Sequence, residues 1–170
     1  WEVDGPGVDV LLRATTLATI VLLVVLLALW VAAWRRNVDA RSGLPATVWL
    51  TLAAVCAFMV GGKVLSPQYL LWLLPVACAG LAVLDDAAEQ VRLRRWSMLL
   101  LVAAVLTHVL YPHTYVELLD HSAWSGLVVA LLAVRNLILV VLCALAFAAA
   151  VRQVRSGPRR PTDPPVSAGA

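Results

Sequence analysis

Apolar residues run along this chain in long unbroken blocks, not in alternation with polar ones. Residues 14–34, 44–62, 64–84 and 96–116 contain no Asp, Glu, Lys or Arg, and 122–151 contains only Arg135. A hydrocarbon layer about 30 Å thick is crossed by roughly 20 apolar residues of α-helix. Helix is the form that serves, because in lipid each backbone N–H and C=O must be satisfied within the segment. The pattern therefore predicts an all-α, polytopic transmembrane helical bundle with about five spans, near 10–34, 44–62, 66–84, 96–112 and 123–151. Of the connecting pieces, 1–9 reads as the remnant of an outer loop and 35–43, with Asn37, Asp39, Ser42 and Gly43, as a short turn. Residues 85–95 form a charged connector in which Glu89 and Arg92 either pair in a brief helix or line a solvated face. The stretch 152–170, basic and Pro-rich, reads as a disordered tail.

Composition agrees with the pattern: 62% of the 170 residues are hydrophobic and the mean hydropathy is +0.91, which excludes an ordinary soluble domain. The net charge of +3 is small, but its placement orients the chain. Ten of the thirteen cations follow the first span, precede the fourth or follow the fifth, with Arg13, Lys63 and Arg135 elsewhere. The positive-inside rule then puts 35–43, 85–95 and the C-terminal tail in the cytoplasm, and 1–9, 61–66 and 112–122 outside. Trp30, Trp34, Trp49, Trp96 and Trp124 fall near span ends, as interfacial belts require, whereas Trp72 lies within a span. Cys56, Cys78 and Cys143 sit in apolar blocks and read as small packing residues, without disulfide or zinc spacing. The short, Pro-rich basic tail suits anionic lipid head groups, and nucleic acid is not expected as a partner. Twelve arginines beside one lysine, with heavy Ala, Val and Leu usage, point to a GC-rich bacterial source and hence a bacterial plasma membrane. The acidic, Gly-containing opening from Trp1 is the kind of segment found in an outer loop, and the chain is expected to be the C-terminal part of a longer protein.

Polar chemistry concentrates at one expected span mouth, K-V-L-S-P-Q-Y-L-L-W-L-L-P at 63–75. Gly61 and Gly62 suit a tight turn. Ser66 is a natural N-cap and Pro67 suits the first helical position, so a helix should start there with its free N–H groups facing outward. Lys63 beside such an end favours a phosphate, while Gln68 and Tyr69 offer an amide and a phenol to sugar or phosphate oxygens. The alternative is a plain helix cap with a snorkelling lysine. Arg135 lies on the order of 25 Å along the fifth span from Arg152. It either binds a lipid phosphate or pairs with Glu117 or Asp120. His108 sits about one turn before Tyr111 and is either an interior packing residue or a sugar-binding one. His113, Glu117 and His121 have i,i+4 spacing that would also fit metal ligands, but spacing of this kind is common and no metal site is assigned. No cofactor is called for, with a divalent metal left open. No nucleotide-binding loop or Ser-His-Asp elbow is present, so any chemistry belongs to the outer membrane face.

The string at 63–75, followed by T-H-V-L-Y-P at 107–112, resembles the integral-membrane GT-C glycosyltransferases of actinobacteria, in particular the polyprenyl-phosphomannose-dependent α-mannosyltransferases. The resemblance spans roughly 45–120 and is specific at 63–75. It implies a many-helix bundle with an extracytoplasmic active site, a polyprenyl-phosphate sugar donor, and a glycolipid or envelope-glycan acceptor. It also implies a catalytic aspartate in a first outer loop upstream of Trp1, so that the fragment alone is expected to be inactive. Where some relatives carry histidines this chain has Gln68 and Tyr69, and the resemblance implies substrate contact for Lys63, Ser66, Gln68 and Tyr69; His108 and Arg135 join them as donor-binding candidates from their own chemistry. The expected function is transfer of a hexose, with mannose first in line. The rival expectation is a non-catalytic polytopic protein such as a transporter or flippase subunit.

Overall fold

The computed structural model describes residues 7–36, 40–61, 67–111 and 125–156. Five α-helices account for nearly all of them: α1 (Val8–Arg36), α2 (Ala40–Gly61), α3 (Leu70–Val83), α4 (Ala87–Val109) and α5 (Ser125–Ser156). A 3₁₀ turn, Pro67–Tyr69, leads into α3, and no strand occurs among the described residues. The helical class expected from the apolar blocks is therefore present, and α1, α2 and α5 are each long and apolar enough to cross a membrane. The other two blocks differ from full spans. α3 has 14 residues, about 21 Å at 1.5 Å per residue, short of the hydrocarbon thickness. α4 is long enough, but Glu89, Arg92, Arg94 and Arg95 occupy its first half.

Tertiary packing moves several boundaries. α2 starts at Ala40, so Ser42 and Gly43 are helical and not part of a turn. α4 starts at Ala87, with Asp86 as N-cap accepting from the Ala88 N–H at 3.0 Å, so the supposed connector is the first part of a helix. α5 continues through Arg152 and Arg155 to Ser156, taking five residues from the expected tail. The third block begins not with an α-helix at Pro67 but with the 3₁₀ turn, and Tyr69 occupies the cap position without a side-chain cap bond. Tighter turns of this kind are frequent at helix starts. Ser66 and Lys63, with the 112–124 loop and the tail beyond 156, lie outside the described residues.

The bundle is built around α2, which packs against α1, α3 and α5, with α4 closing against α3 and α5. Where α2 meets α5 the buried side chains are small, Ala53, Cys56 and Ala57 from one helix and Cys143, Ala146 and Ala150 from the other. Small residues let two apolar helices approach closely, which is how association is gained where water offers no hydrophobic drive. α4 presents a seam at alternating spacings of four and three: Glu89, Leu93, Trp96, Leu100, Ala103, Thr107 and then Leu110. That period keeps one stripe of a helix against its neighbours. α1 contributes little to the interior beyond Leu26 and Ala33, and its Leu17, Val21, Val24 and Leu27 lie on the outer surface. Gly80 admits α3 to the groove between α2 and α4, since a Cβ there would lie 2.7 Å from Leu93 Cδ2 and 2.8 Å from Val48 Cγ1.

Among the described residues all the arginines but Arg13 and Arg135 gather at one end, where α1 and α5 finish and α2 and α4 begin. There Trp49 and Trp96 do not form an interfacial belt: both are buried and meet edge to face with ring centroids 6.4 Å apart. Trp49 Nε1 donates to Glu89 Oε2 at 2.9 Å, and Trp96 Nε1 donates to the Leu142 carbonyl at 3.0 Å. Glu89 is 1% exposed and also pairs with Arg92, so the expected pairing occurs on an interior face in place of a solvated one. A buried carboxylate needs such partners, and the indole N–H and the guanidinium supply them. Trp30 and Trp34, by contrast, are exposed as an interfacial position requires.

Candidate functional site

At the opposite end the 3₁₀ turn, α3 and the last turns of α4 enclose a half-open cleft of about 270 Å³. Binding pockets for small molecules start near 300 Å³, so the described residues form a cleft at the lower limit for a single small ligand. Its polar lining is Gln68, Thr107, His108 and Tyr111. Its apolar wall comes from α3 and α4, chiefly Leu70, Leu74 and Leu100. Gln68 reaches the cleft because the 3₁₀ turn sets it beside the start of α3. His108 and Tyr111 are three apart on α4, which puts them on one helix face. At the end of α4 the Leu110 N–H is shared between the carbonyls of Leu106 and Thr107, a three-centre bond common at helix termini.

Arg135 lies behind this lining. It is 3% exposed, about 15 Å into α5 from Ser125. Its Nε–H donates to Thr107 Oγ1 at 3.0 Å, and its Nη1–H donates to Asn136 Oδ1 at 3.0 Å. Thr107 Oγ1 in turn donates to the Ala103 carbonyl at 2.7 Å. The threonine thus has both roles of its hydroxyl occupied, and its position on the cleft wall is set by a charge from another helix. Intramembrane cations that face inward in this way commonly mark ligand or ion sites. The expected partners Glu117 and Asp120 lie outside the described residues.

Of the expected site residues, Gln68 and His108 meet in the cleft and Arg135 supports it through Thr107. Tyr69 turns away from it. Its ring sits 6.3 Å from Phe58 and 5.0 Å from Trp72, and Phe58 stacks on Trp72 at 6.3 Å with an interplanar angle of 27°. This is the packing that explains Trp72 within a span: half-exposed, it stacks on another half-exposed ring on the bundle surface. Lys63 and Ser66 fall outside the described residues, as do His113, Glu117 and His121. Among the described residues no group of three or more His, Cys, Asp or Glu side chains could hold a metal. Thr107 and Tyr111 were not singled out as site residues, though both stand in the T-H-V-L-Y string. The signal for them was the i,i+4 spacing that sets Thr107 and Tyr111 on the side of α4 that His108 adjoins.

Compared with known proteins, the chain matches no family, no curated sequence and no solved structure.

Proposed function

We propose that the chain is the membrane portion of a glycosyltransferase that moves a hexose, with mannose the leading candidate, from a polyprenyl-phosphate donor to an envelope glycolipid or glycan. The observation that carries this reading is the convergence on one cleft of Gln68 and His108, forty residues apart in sequence, in front of a buried arginine. Such a cleft combines what a lipid-linked sugar asks for. An amide, a phenol and an imidazole can exchange hydrogen bonds with sugar hydroxyls. The adjoining apolar wall of α3 can accept the first isoprene units of the carrier. On this reading Lys63, next to the 3₁₀ turn in sequence, adds the cation that takes the leaving phosphate. The cleft end faces away from the cytoplasm, because the arginine-rich end obeys the positive-inside rule. The acceptor hydroxyl is activated by a carboxylate supplied from outside this chain.

The test is radiolabelled transfer from a polyprenyl-phosphate hexose in native membranes, normalised to protein level. Lys63→Ala and Gln68→Ala should each lower transfer about ten- to hundredfold, the value of a charged or strongly oriented hydrogen bond of 1.5–3 kcal/mol. Expression and insertion should hold. Lys63→Arg should keep part of the activity, because the charge is retained while the shape changes. Wild-type rates in both alanine variants would leave K-V-L-S-P-Q-Y as a helix entry and turn the reading towards a non-catalytic transport protein.

A further inference from the structure

A second cavity, of about 240 Å³, lies at the arginine-rich end. It shares no lining residue with the cleft: on α4 it takes Arg92, Arg95 and Trp96, whereas the cleft begins at Leu100 and extends to the far end of the helix. Trp49 and Trp96 form its floor, Arg92, Arg95 and Arg152 its rim, and Leu145 and Ala149 the α5 wall. The floor is rigidly presented. Both indole N–H groups are committed to the bundle interior, one to Glu89 and one to the Leu142 carbonyl, and the rings themselves are buried, so the apolar side chain open to the cavity is Leu145. Arg92 is neutralised by Glu89. Arg95 and Arg152 are exposed, come from different helices and have no ion pair among the described residues. The cavity therefore offers an apolar wall at Leu145 and two arginines at its rim that have no ion pair among the described residues.

We propose that this cavity binds the phosphate-bearing head group of an anionic phospholipid, with Arg95 and Arg152 gripping the phosphodiester and Leu145 with the arginine stems covering the glycerol and first acyl carbons. Guanidinium forks match phosphate oxygens two at a time. Basic pockets between membrane helices are the places where such head groups are held. The combination of a charged rim with an apolar wall at Leu145 distinguishes a lipid from free phosphate, which has no use for the wall. It also distinguishes a site from general attraction, in which each interfacial arginine contributes about fivefold wherever it stands.

Purified chain in mild detergent should be titrated with phosphatidylglycerol, phosphatidylcholine and inorganic phosphate, with bound lipid counted by native mass spectrometry. Phosphatidylglycerol should bind in preference to phosphatidylcholine, and millimolar phosphate should not displace it. The double variant Arg95→Gln/Arg152→Gln should lose about a hundredfold in phosphatidylglycerol affinity, two charge-assisted contacts at the low end of their range. The control Arg94→Gln/Arg155→Gln removes the same charge from exposed positions outside the cavity and should lose far less. Equal losses in the two double variants would overturn the site in favour of diffuse attraction. Displacement by inorganic phosphate would overturn the lipid assignment. Should the pocket variant fail to fold, wild-type protein without preference for the anionic lipid would overturn the proposal on its own.

Discussion

Replacing Glu89 by alanine should destabilise the bundle far more than a surface charge change, and the magnitude follows from its contacts. The carboxylate is 1% exposed and accepts from Trp49 Nε1 at 2.9 Å. Trp49 is itself 2% exposed, so removing the acceptor leaves a buried N–H unsatisfied, at a cost of about 1–3 kcal/mol. The void left by the missing side chain adds roughly 1 kcal/mol, since a packed interior relaxes only in part. Arg92 adds little: its side chain is 45% exposed and can turn to water when its partner goes. The expected loss is about 2–4 kcal/mol. Glu89→Gln should cost only about 1 kcal/mol, because an amide oxygen still accepts from the indole. In a Trp49→Phe background the donor is absent, and the cost of Glu89→Ala should fall by about 1–2 kcal/mol, the coupling of the pair. The assay is unfolding in mixed micelles with rising SDS fraction, followed by far-ultraviolet circular dichroism. Glu89→Ala within about 0.5 kcal/mol of wild type, or equally costly in both backgrounds, would refute the reasoning.

Gly80→Ala should destabilise by up to about 2 kcal/mol, overpacking of about 1–3 kcal/mol being partly offset by roughly 1 kcal/mol of helix propensity. Leu93→Ala should relieve it, because Leu93 Cδ2 lies 2.7 Å from the added methyl; the same SDS titration reads both. Single cysteines placed in a Cys-free background at Tyr111 and Arg155 should be labelled from opposite faces of the membrane, with Arg155 reached only after the inner face is opened. Labelling of both from the same side would sink the orientation and with it the outward-facing cleft.

Helical class was legible in the sequence, as were three blocks long and apolar enough to cross a membrane, because both rest on a one-dimensional property, the run length of apolar residues between charges. The same is true of Trp30 and Trp34, whose exposure needs nothing but their place at the end of an apolar block. The boundaries were less legible. Ala87–Arg95 reads as a charged connector in one dimension, yet the bundle folds it as helix, because Glu89 finds an indole and a guanidinium once α2 and α4 are side by side. Arg152 and Arg155 read as tail for the same reason, whereas α5 carries them past the apolar block.

The candidate site divides along the same line. Gln68 and His108 could be named from their chemistry and their place near span ends, and both reach the cleft. Tyr69 could be named on equal grounds, but one residue further along the 3₁₀ turn points to a different face, where Phe58 and Trp72 receive it. Arg135 was visible as a costly charge in lipid, but its partner was not. Thr107 stands twenty-eight residues away, and no spacing rule on one helix reports what a neighbouring helix brings. The pocket of Trp49, Trp96, Arg95 and Arg152 draws on three helices and was decided wholly by packing. Sequence alone determined that the chain forms apolar helices, since backbone groups in lipid must be satisfied within each such block. Which side chains share a cavity depended on helix rotation and depth, and those follow from the small-residue contact of α2 with α5 and the gap at Gly80.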